Sequence, residues 1–410
     1  MMLHRIWLSF FIIGFISALY QWLGLGDADV FQRIIKSTFD MASLSVELSI
    51  GLVGVLSLWL GIAALGEASG LMAKLARALS PLFTRLMPEV PKGHPAIGSM
   101  TLNLSANVLG LDNAATPLGL KAMQDLQSLN PKPDTASNAQ ILFLVLNTSS
   151  VTLFPITVLL YRAQLGAVDP ASVFIPILLA TSCSTLAGLL VTAWVQKIKL
   201  WDTVVLGYLA LIMGSLFAVI AYFATLSAEQ LQHSSSVVSN LMIFSIIMLF
   251  LLVAHYKKVN VYDTFIEGAK NGFQVAIDII PFLLAMLVAI GIFRASGALD
   301  VAIDGVRDVV TMAGWDARFV DALPTAMMKP LSGSGARAMM VETMNTHGVD
   351  SFQGLLSATI QGSTETTFYV LAVYFGSVGI RHGRHALACG LSADIAGIVS
   401  AIFIAYWFYV

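Results

Sequence analysis

Two polar nonapeptides interrupt otherwise apolar segments: residues 146–154 read LNTSSVTLF and residues 360–368 read IQGSTETTF. They align position by position, since an amide residue pairs with an amide residue, hydroxyl residues pair with hydroxyl residues, and phenylalanine ends both. Each nonapeptide is preceded by a stretch rich in glycine, serine or asparagine, and that stretch follows an apolar segment ending in Ala-Ser-Gly. Each is followed by one further apolar segment. This self-similarity predicts that one structural unit occurs twice in the chain.

Composition sets the class of protein. The chain has 410 residues, of which 57% are hydrophobic and 11% charged, whereas a soluble domain carries roughly 25% charged residues. The formal net charge of -2 provides no basic surface for nucleic acid. Two cysteines are too few for a disulfide framework or a four-cysteine metal site. The composition excludes a soluble globular enzyme and a nucleic-acid binder, and predicts an all-α polytopic membrane protein whose surroundings are the lipid bilayer.

The apolar segments predict about nine full transmembrane helices, because roughly 20 apolar residues cross the hydrocarbon core. These segments are 6–25, 48–65, 141–161, 173–195, 204–226, 241–256, 272–293, 355–376 and 386–410. Residues 97–120 and 324–344 are interrupted by Gly, Ser, Asn and Pro. Freed backbone groups of this kind are tolerated inside a bundle but not against lipid, so both stretches predict re-entrant hairpins. The amphipathic stretches 71–91 and 301–310 predict helices along the membrane interface.

Lysine and arginine are in excess in alternate loops, which places the N-terminus inside and the C-terminus outside. With this orientation, the two units enter the membrane from opposite sides. Inverted repeats with broken helices are typical of secondary transporters. We therefore expect an N-terminal transmembrane helix and interfacial segment at 1–46, a first repeat at 47–200, a linking helix pair at 201–260 and a second repeat at 261–410.

Further motifs support a family resemblance. Residues 110–119 read GLDNAATPLG, residues 293–300 read FRASGALD and residues 330–335 read PLSGSG. Together with the nonapeptides, these motifs resemble bacterial spore maturation proteins A and B fused in one chain. Both halves also resemble the nucleoside recognition, or Gate, domain superfamily. The resemblance implies two inverted Gate-type repeats, each with a re-entrant hairpin and a polar broken span, in the bacterial cytoplasmic (inner) membrane. Asp112 departs from the glycine expected in the A-type motif.

Glu365 is the strongest single candidate for a functional group. A carboxylate in mid-span costs about 2.5–3.5 kcal/mol on insertion scales and usually faces a cavity or a partner. We expect it to bind the solute or a coupling ion, H+ or Na+. The alternative is a structural hydrogen bond or an ion pair with Lys329 or Arg337. In concentrative nucleoside transporters of the superfamily a Gln-Thr-Glu cluster binds nucleoside, and Ser363-Thr364-Glu365 is similar in kind.

Amide and hydroxyl side chains around the breaks supply both donors and acceptors for a small polar solute. Turn chemistry and hydrogen bonds within one helix are the alternative roles for them. Asp278 and Asp394 are lone acids in apolar spans, and each is as readily a packing partner as a ligand. The predicted substrate-binding residues are Asn107, Asn113, Thr116, Asn147, Ser149, Ser150, Ser332, Ser334, Gln361, Ser363, Thr364 and Glu365.

These patterns predict a secondary transporter that moves a small polar solute, with a nucleoside-like solute as one candidate, by alternating access. The alternative is a non-transporting membrane scaffold or assembly factor of the spore maturation type. Ser334 lies in a Gly-Ser-Gly turn, but the nearest histidines are expected at the membrane edges, so an intramembrane enzyme is not predicted. We expect no resident cofactor and no metal, and by analogy with related transporters a homodimer.

Overall fold

The computed structural model describes residues 2–109, 112–149, 151–152 and 155–410, without the side chains of 2–4, 6, 112–114, 228–229, 276, 278–279 and 282. Its regular elements are helices, apart from one isolated bridge between Thr135 and His382 and two short 3₁₀ turns. The first half contains α1 Met2–Leu25, α2 Val30–Ala68, α3 Leu71–Leu86, α4 Pro95–Val108, α5 Asp112–Gln127, α6 Asn138–Thr148, α7 Ile156–Gln164 and α8 Phe174–Gln196.

The second half has the same kinds of element after a linking pair. Its helices are α9 Thr203–Ala224, α10 Ala228–Tyr256, α11 Val261–Ala295, α12 Ala298–Met312, α13 Leu323–Met328, α14 Gly333–His347, α15 Phe352–Ser363, α16 Thr367–Ser377 and α17 Ala386–Tyr409.

Among the described residues, six helices are long and apolar enough to cross a membrane: α1, α2, α8, α9, α10 and α17. The last part of α11 and the whole of α12 meet at an angle of 68°. If this bent pair is counted as one span, the number rises to seven. The chain is therefore a multi-pass membrane protein, but the predicted count of nine continuous spans is not confirmed. Two of the nine, 141–161 and 355–376, are each divided into two short helices. The division falls at the polar nonapeptides, whose side chains compete for backbone hydrogen bonds.

The stretches predicted as hairpins are helix–break–helix units. Helices α4 and α5 pack against each other on either side of residues 109–111, and α13 and α14 pack on either side of residues 329–332. The amphipathic stretches form α3 and α12, each beginning after a glycine in the left-handed conformation, Gly70 with φ 74° and Gly297 with φ 69°. A residue with a Cβ is strained there, which accounts for glycine at both corners.

Helices α2 and α11, which begin the two repeats, run antiparallel along most of their lengths. Gly291 of α11 lies against Met41 of α2, and Gly272 lies against Ser57, so positions later in one helix meet positions earlier in the other. A Cβ on Gly272 would come within 2.4 Å of the Ser57 Cα. Absence of side chains lets the two backbones approach closely, as small residues do at membrane helix interfaces.

Helices α8 and α17, which end the two repeats, are also antiparallel. A Cβ on Gly188 would lie 3.1 Å from the Ala393 Cβ, and one on Gly397 would lie 3.0 Å from the Ser184 Cβ. The Ser184 hydroxyl donates to the Ala393 carbonyl over 2.9 Å, between the two helices. Both helix pairs, α2 with α11 and α8 with α17, are therefore antiparallel.

The linking pair lies on the outside of the bundle. Of the 22 residues in α9, only Val205 and Phe223 are buried, and large apolar side chains such as Leu211, Phe217 and Phe244 are exposed. A soluble monomer rarely exposes a continuous apolar surface of this size. We infer that α9 and α10 face lipid, while the repeats enclose the polar breaks.

Candidate functional site

The four helix breaks of the two repeats converge on one region. The backbone N–H of Glu365, in the break between α15 and α16, donates to the Thr148 carbonyl at the end of α6 over 2.7 Å. The backbone N–H of Phe368 donates over 3.0 Å to the carbonyl of Pro330, which lies in the break of the second hairpin. In the first repeat, the Asn107 Nδ2 at the end of α4 donates to the Asn147 Oδ1 over 2.8 Å. We call this region the break cluster.

Asn147 is tied into a network of amide groups on the first-repeat side of the cluster. It is buried, and its Nδ2 donates to the Phe143 carbonyl over 2.9 Å. Its Oδ1 also lies 3.4 Å from the Tyr374 hydroxyl, which lies 3.4 Å from the Nδ2 of Asn103. The network therefore joins the first hairpin, the first broken span and α16 of the second repeat. Tyr374 was missed from the sequence, because nothing local places α16 beside α6.

The second broken span presents polar groups that are buried without partners. Gln361 is 6% exposed and Thr364 is 3% exposed. The Gln361 Oε1 and Thr364 Oγ1 have no hydrogen-bond partner among the described residues. The hydroxyls of Ser363 and Ser149, in contrast, donate to carbonyls of their own helices over 2.8 Å. Buried acceptors without partners are costly, and such groups in native structures often bind water or an ion.

The second hairpin brings a helix N-terminus into the cluster. Ser332 is buried and caps α14, where its hydroxyl accepts from the Gly335 N–H over 3.0 Å. The Ser334 Oγ lies 3.2 Å from the Ser332 Oγ. A Cβ on Gly333 would lie 2.9 Å from the Thr366 hydroxyl, so the start of α14 touches the break between α15 and α16. Ser332 caps the helix here, which is the turn role described above as the alternative, and Ser334 contacts the capping hydroxyl.

Glu365 lies in the break between α15 and α16, and its side chain is exposed. Thr116 in α5 is half-buried. Asn113 and Ser150 lie outside the described side chains and residues, respectively. Of the twelve predicted binding residues, the structure therefore brings Asn107, Asn147, Ser149, Ser332, Ser334, Gln361, Ser363, Thr364 and Glu365 into elements that meet at the break cluster.

Asp394 is the acidic side chain that faces this region from within α17. It is 0% exposed, and neither carboxyl oxygen has a hydrogen-bond partner among the described residues. It was only an undecided candidate from the sequence, because a lone acid in an apolar span has the same local pattern whether it packs or binds. The residues packed against this part of α17, Thr364 and Thr367, lie about 30 residues earlier in the chain.

A multi-pass helical bundle with polar breaks gathered between two similar halves defines the class of this protein. The Nucleoside recognition (Gate) family profile matches residues 49–164 and 276–381. These two segments cover more than half of the chain, and the chain belongs to the Gate nucleoside recognition family. The resemblance inferred from the motifs is confirmed. Each matched segment lies inside one of the predicted repeats, whose outer boundaries stay predictions.

Two curated relatives come from Bacillus subtilis (strain 168). Spore maturation protein B is 46% identical over 154 residues, which are 38% of this chain and 85% of the relative. Spore maturation protein A is 36% identical over 190 residues, which are 46% of this chain and 93% of the relative. No solved structure matches this chain. The chain is thus similar to two proteins that are separate in the relatives' organism.

Proposed function

We propose that the chain is a secondary transporter of a small polar solute of the nucleoside type, and that its two repeats have inverted orientation and move by alternating access. The antiparallel crossing of α2 with α11 and of α8 with α17 supports the inverted arrangement. The single observation that carries the proposal is the hydrogen bond between Glu365 and Thr148, because it places the break of one repeat against the break of the other. Secondary transporters bind substrate at such a repeat interface.

The proposed binding site lies between the two hairpins and the two broken spans. Short helices that end there leave N–H and C=O groups without intrahelical partners, and these groups bind polar or charged solutes. Asn147 and Gln361 supply amides from equivalent positions of the two repeats, and Thr364 supplies a hydroxyl. Glu365 is exposed and contributes charge to the site.

The second candidate is a membrane scaffold or assembly factor of the spore maturation type. The names of both relatives favour it, since spore maturation is a developmental process and not transport. The two candidates differ in what they require of the break cluster. A scaffold requires only that the protein folds. A transporter also requires the polar side chains at the breaks, because they bind the solute.

The transporter proposal predicts that Glu365→Gln and Asn147→Ala each lower the initial rate of uptake about tenfold. The loss of one charge-assisted or buried hydrogen bond to the solute is about 1.4 kcal/mol, which is a factor of ten. The measurement is uptake of radiolabelled uridine and adenosine into proteoliposomes. Both solutes are first tested for a ligand-induced increase of the melting temperature of the purified protein.

Glu267→Gln in α11 and Asn240→Ala in α10 are matched controls, since both side chains are exposed and lie outside the break cluster. They are expected to keep the wild-type rate. Melting temperatures of all four variants separate loss of function from loss of fold. Wild-type uptake by both Glu365→Gln and Asn147→Ala would reject the proposed roles, and absence of uptake and of any melting shift in the wild-type protein would favour the scaffold.

A further inference from the structure

Asp394 lies on a face of α17 that is built from small residues and packs on the second break. A Cβ on Gly390 would lie 2.8 Å from the Thr367 Cγ2, and one on Gly397 would lie 2.6 Å from the Thr364 Cγ2. Asp394 is one turn from each of these glycines, on the same face of the helix. The two threonines flank Glu365 and Thr366 in the break. The carboxyl group of Asp394 is therefore aimed at residues 364–366.

The carboxyl group is out of contact with water in this conformation. Asp394 is 0% exposed, and neither of its oxygens has a hydrogen-bond partner of normal geometry among the described residues. The hydroxyls of Thr364 and Thr367 and the positive charge of Lys329 act on the carboxyl group and favour its ionised form. The loss of water disfavours the carboxylate more than these groups favour it, so the carboxyl group takes up a proton. We infer that the Asp394 carboxyl is neutral here.

The charged groups that act on Asp394 are Lys329, between α13 and α14, and Glu365, in the break itself. Lys329 is 4% exposed, so its field is weakly screened. A positive charge nearby opposes the binding of either cation, H+ or Na+, at Asp394 and favours the carboxylate. Complete burial acts in the opposite direction and favours the neutral carboxyl group, so the proton is the cation proposed here.

We propose, resting on the transport function above, that Asp394 is the proton-binding residue of the transport cycle. In the conformation described here Asp394 is protonated. When the break at 364–366 opens to water, the O–H bond of the carboxyl group breaks, the proton passes to a water molecule, and the carboxylate becomes solvated. Closure requires a proton again, so the conformational change is coupled to proton binding. The role of coupling group is thereby assigned to buried Asp394 and not to exposed Glu365.

The first test is infrared difference spectroscopy of the purified wild-type protein between acidic and alkaline buffer. A protonated carboxyl group absorbs at a C=O stretch separate from that of a carboxylate. The wild type is expected to show a band that disappears as the pH rises, and Asp394→Asn is expected to lack it. Asp308→Asn, at an exposed position of α12, is the matched control and keeps the band. Should Asp394→Asn not fold, Asp394→Glu is expected to shift the band.

The second test is the melting temperature as a function of pH. A carboxyl group that is protonated in the folded state but ionised in the unfolded state stabilises the fold less as the pH rises, because the unfolded state then releases the proton. The melting temperature of the wild type is therefore expected to fall as the pH rises above about 4, the pKa of an aspartate in an unfolded chain, and that of Asp394→Asn to fall less. An unchanged band and an unchanged pH profile in Asp394→Asn would overturn the proposal.

A sodium-dependent melting temperature would contradict the proton assignment. If NaCl, but not choline chloride, raises the melting temperature of the wild type at alkaline pH and leaves Asp394→Asn unaffected, the site binds Na+ and the proton assignment is wrong. These measurements use no solute. A titrating Asp394 in a protein without uptake would reject the transport function and leave the proton site standing, whereas uptake without a titrating Asp394 would reject only the proton site.

Discussion

Replacing Gly272 by leucine is expected to lower the free energy of unfolding by about 3 kcal/mol or more, the upper part of the range for overpacking. A Cβ at this position would lie 2.4 Å from the Ser57 Cα and 2.6 Å from the Ser57 backbone N. These are backbone atoms, which cannot move aside as a flexible side chain can. The helices α2 and α11 would have to separate, and the contact between the first helices of the two repeats would be lost along their length.

Gly214→Leu is the matched control for this prediction. Gly214 lies in α9, and a Cβ there would meet nothing within 4 Å. Leucine also favours the helix over glycine, so we expect the control to retain wild-type stability. The measurement is the melting temperature in detergent, together with the yield of monodisperse protein. Equal melting temperatures for Gly272→Leu and Gly214→Leu would show that the two backbones do not approach as closely as described.

Replacing Arg162 by methionine is expected to lower the free energy of unfolding by about 3 kcal/mol. Arg162 at the end of α7 is 0% exposed. Its Nη1 donates to the Val349 carbonyl over 2.9 Å, and its Nη2 donates to the Asp350 Oδ1 over 2.9 Å and to the Asp169 carbonyl over 3.1 Å. Methionine fills part of the volume but leaves these acceptors without a donor. The loop before α15 would lose its anchor on the first repeat.

Arg33→Met is the control that shows how much of the loss of stability in Arg162→Met is due to burial. Arg33 forms an ion pair with Asp27, but its side chain is 48% exposed. Exposed ion pairs contribute about 0–1 kcal/mol, so this control is expected to change the melting temperature little. A second comparison is Arg162→Lys, which keeps the charge but loses the planar fork and is expected to fall between wild type and Arg162→Met. A melting temperature for Arg162→Met equal to that of Arg33→Met would contradict the prediction.

The two family-matched segments depend on each other at the break cluster. The hydrogen bond from Glu365 to the Thr148 carbonyl joins residues of both matched segments. The amide network of Asn147 likewise includes Tyr374 of the second segment. Neither segment alone contains the whole cluster.

Composition and local sequence pattern are enough to predict the class of protein, the repeat and the positions of the interruptions. These features are local: composition sets the bilayer environment, and polar nonapeptides at 146–154 and 360–368 break apolar helices wherever they occur. The same local reasoning predicted nine continuous spans, a number that the described residues do not confirm. Hydropathy averages over about 20 residues, so it does not distinguish one spanning helix from two half-length helices with a polar joint.

Which polar side chains face the helix breaks, and which form hydrogen bonds elsewhere, follows from the packing of the helices. Glu365 drew attention in the sequence because it is an acid inside an apolar segment, yet its side chain is exposed. Asp394 had the same local signature and is completely buried against Thr364 and Thr367. Burial and hydrogen-bond satisfaction depend on residues that are distant in sequence. The contacts of α17 with the second break, and of Arg162 with Val349, arise only when the two halves pack together.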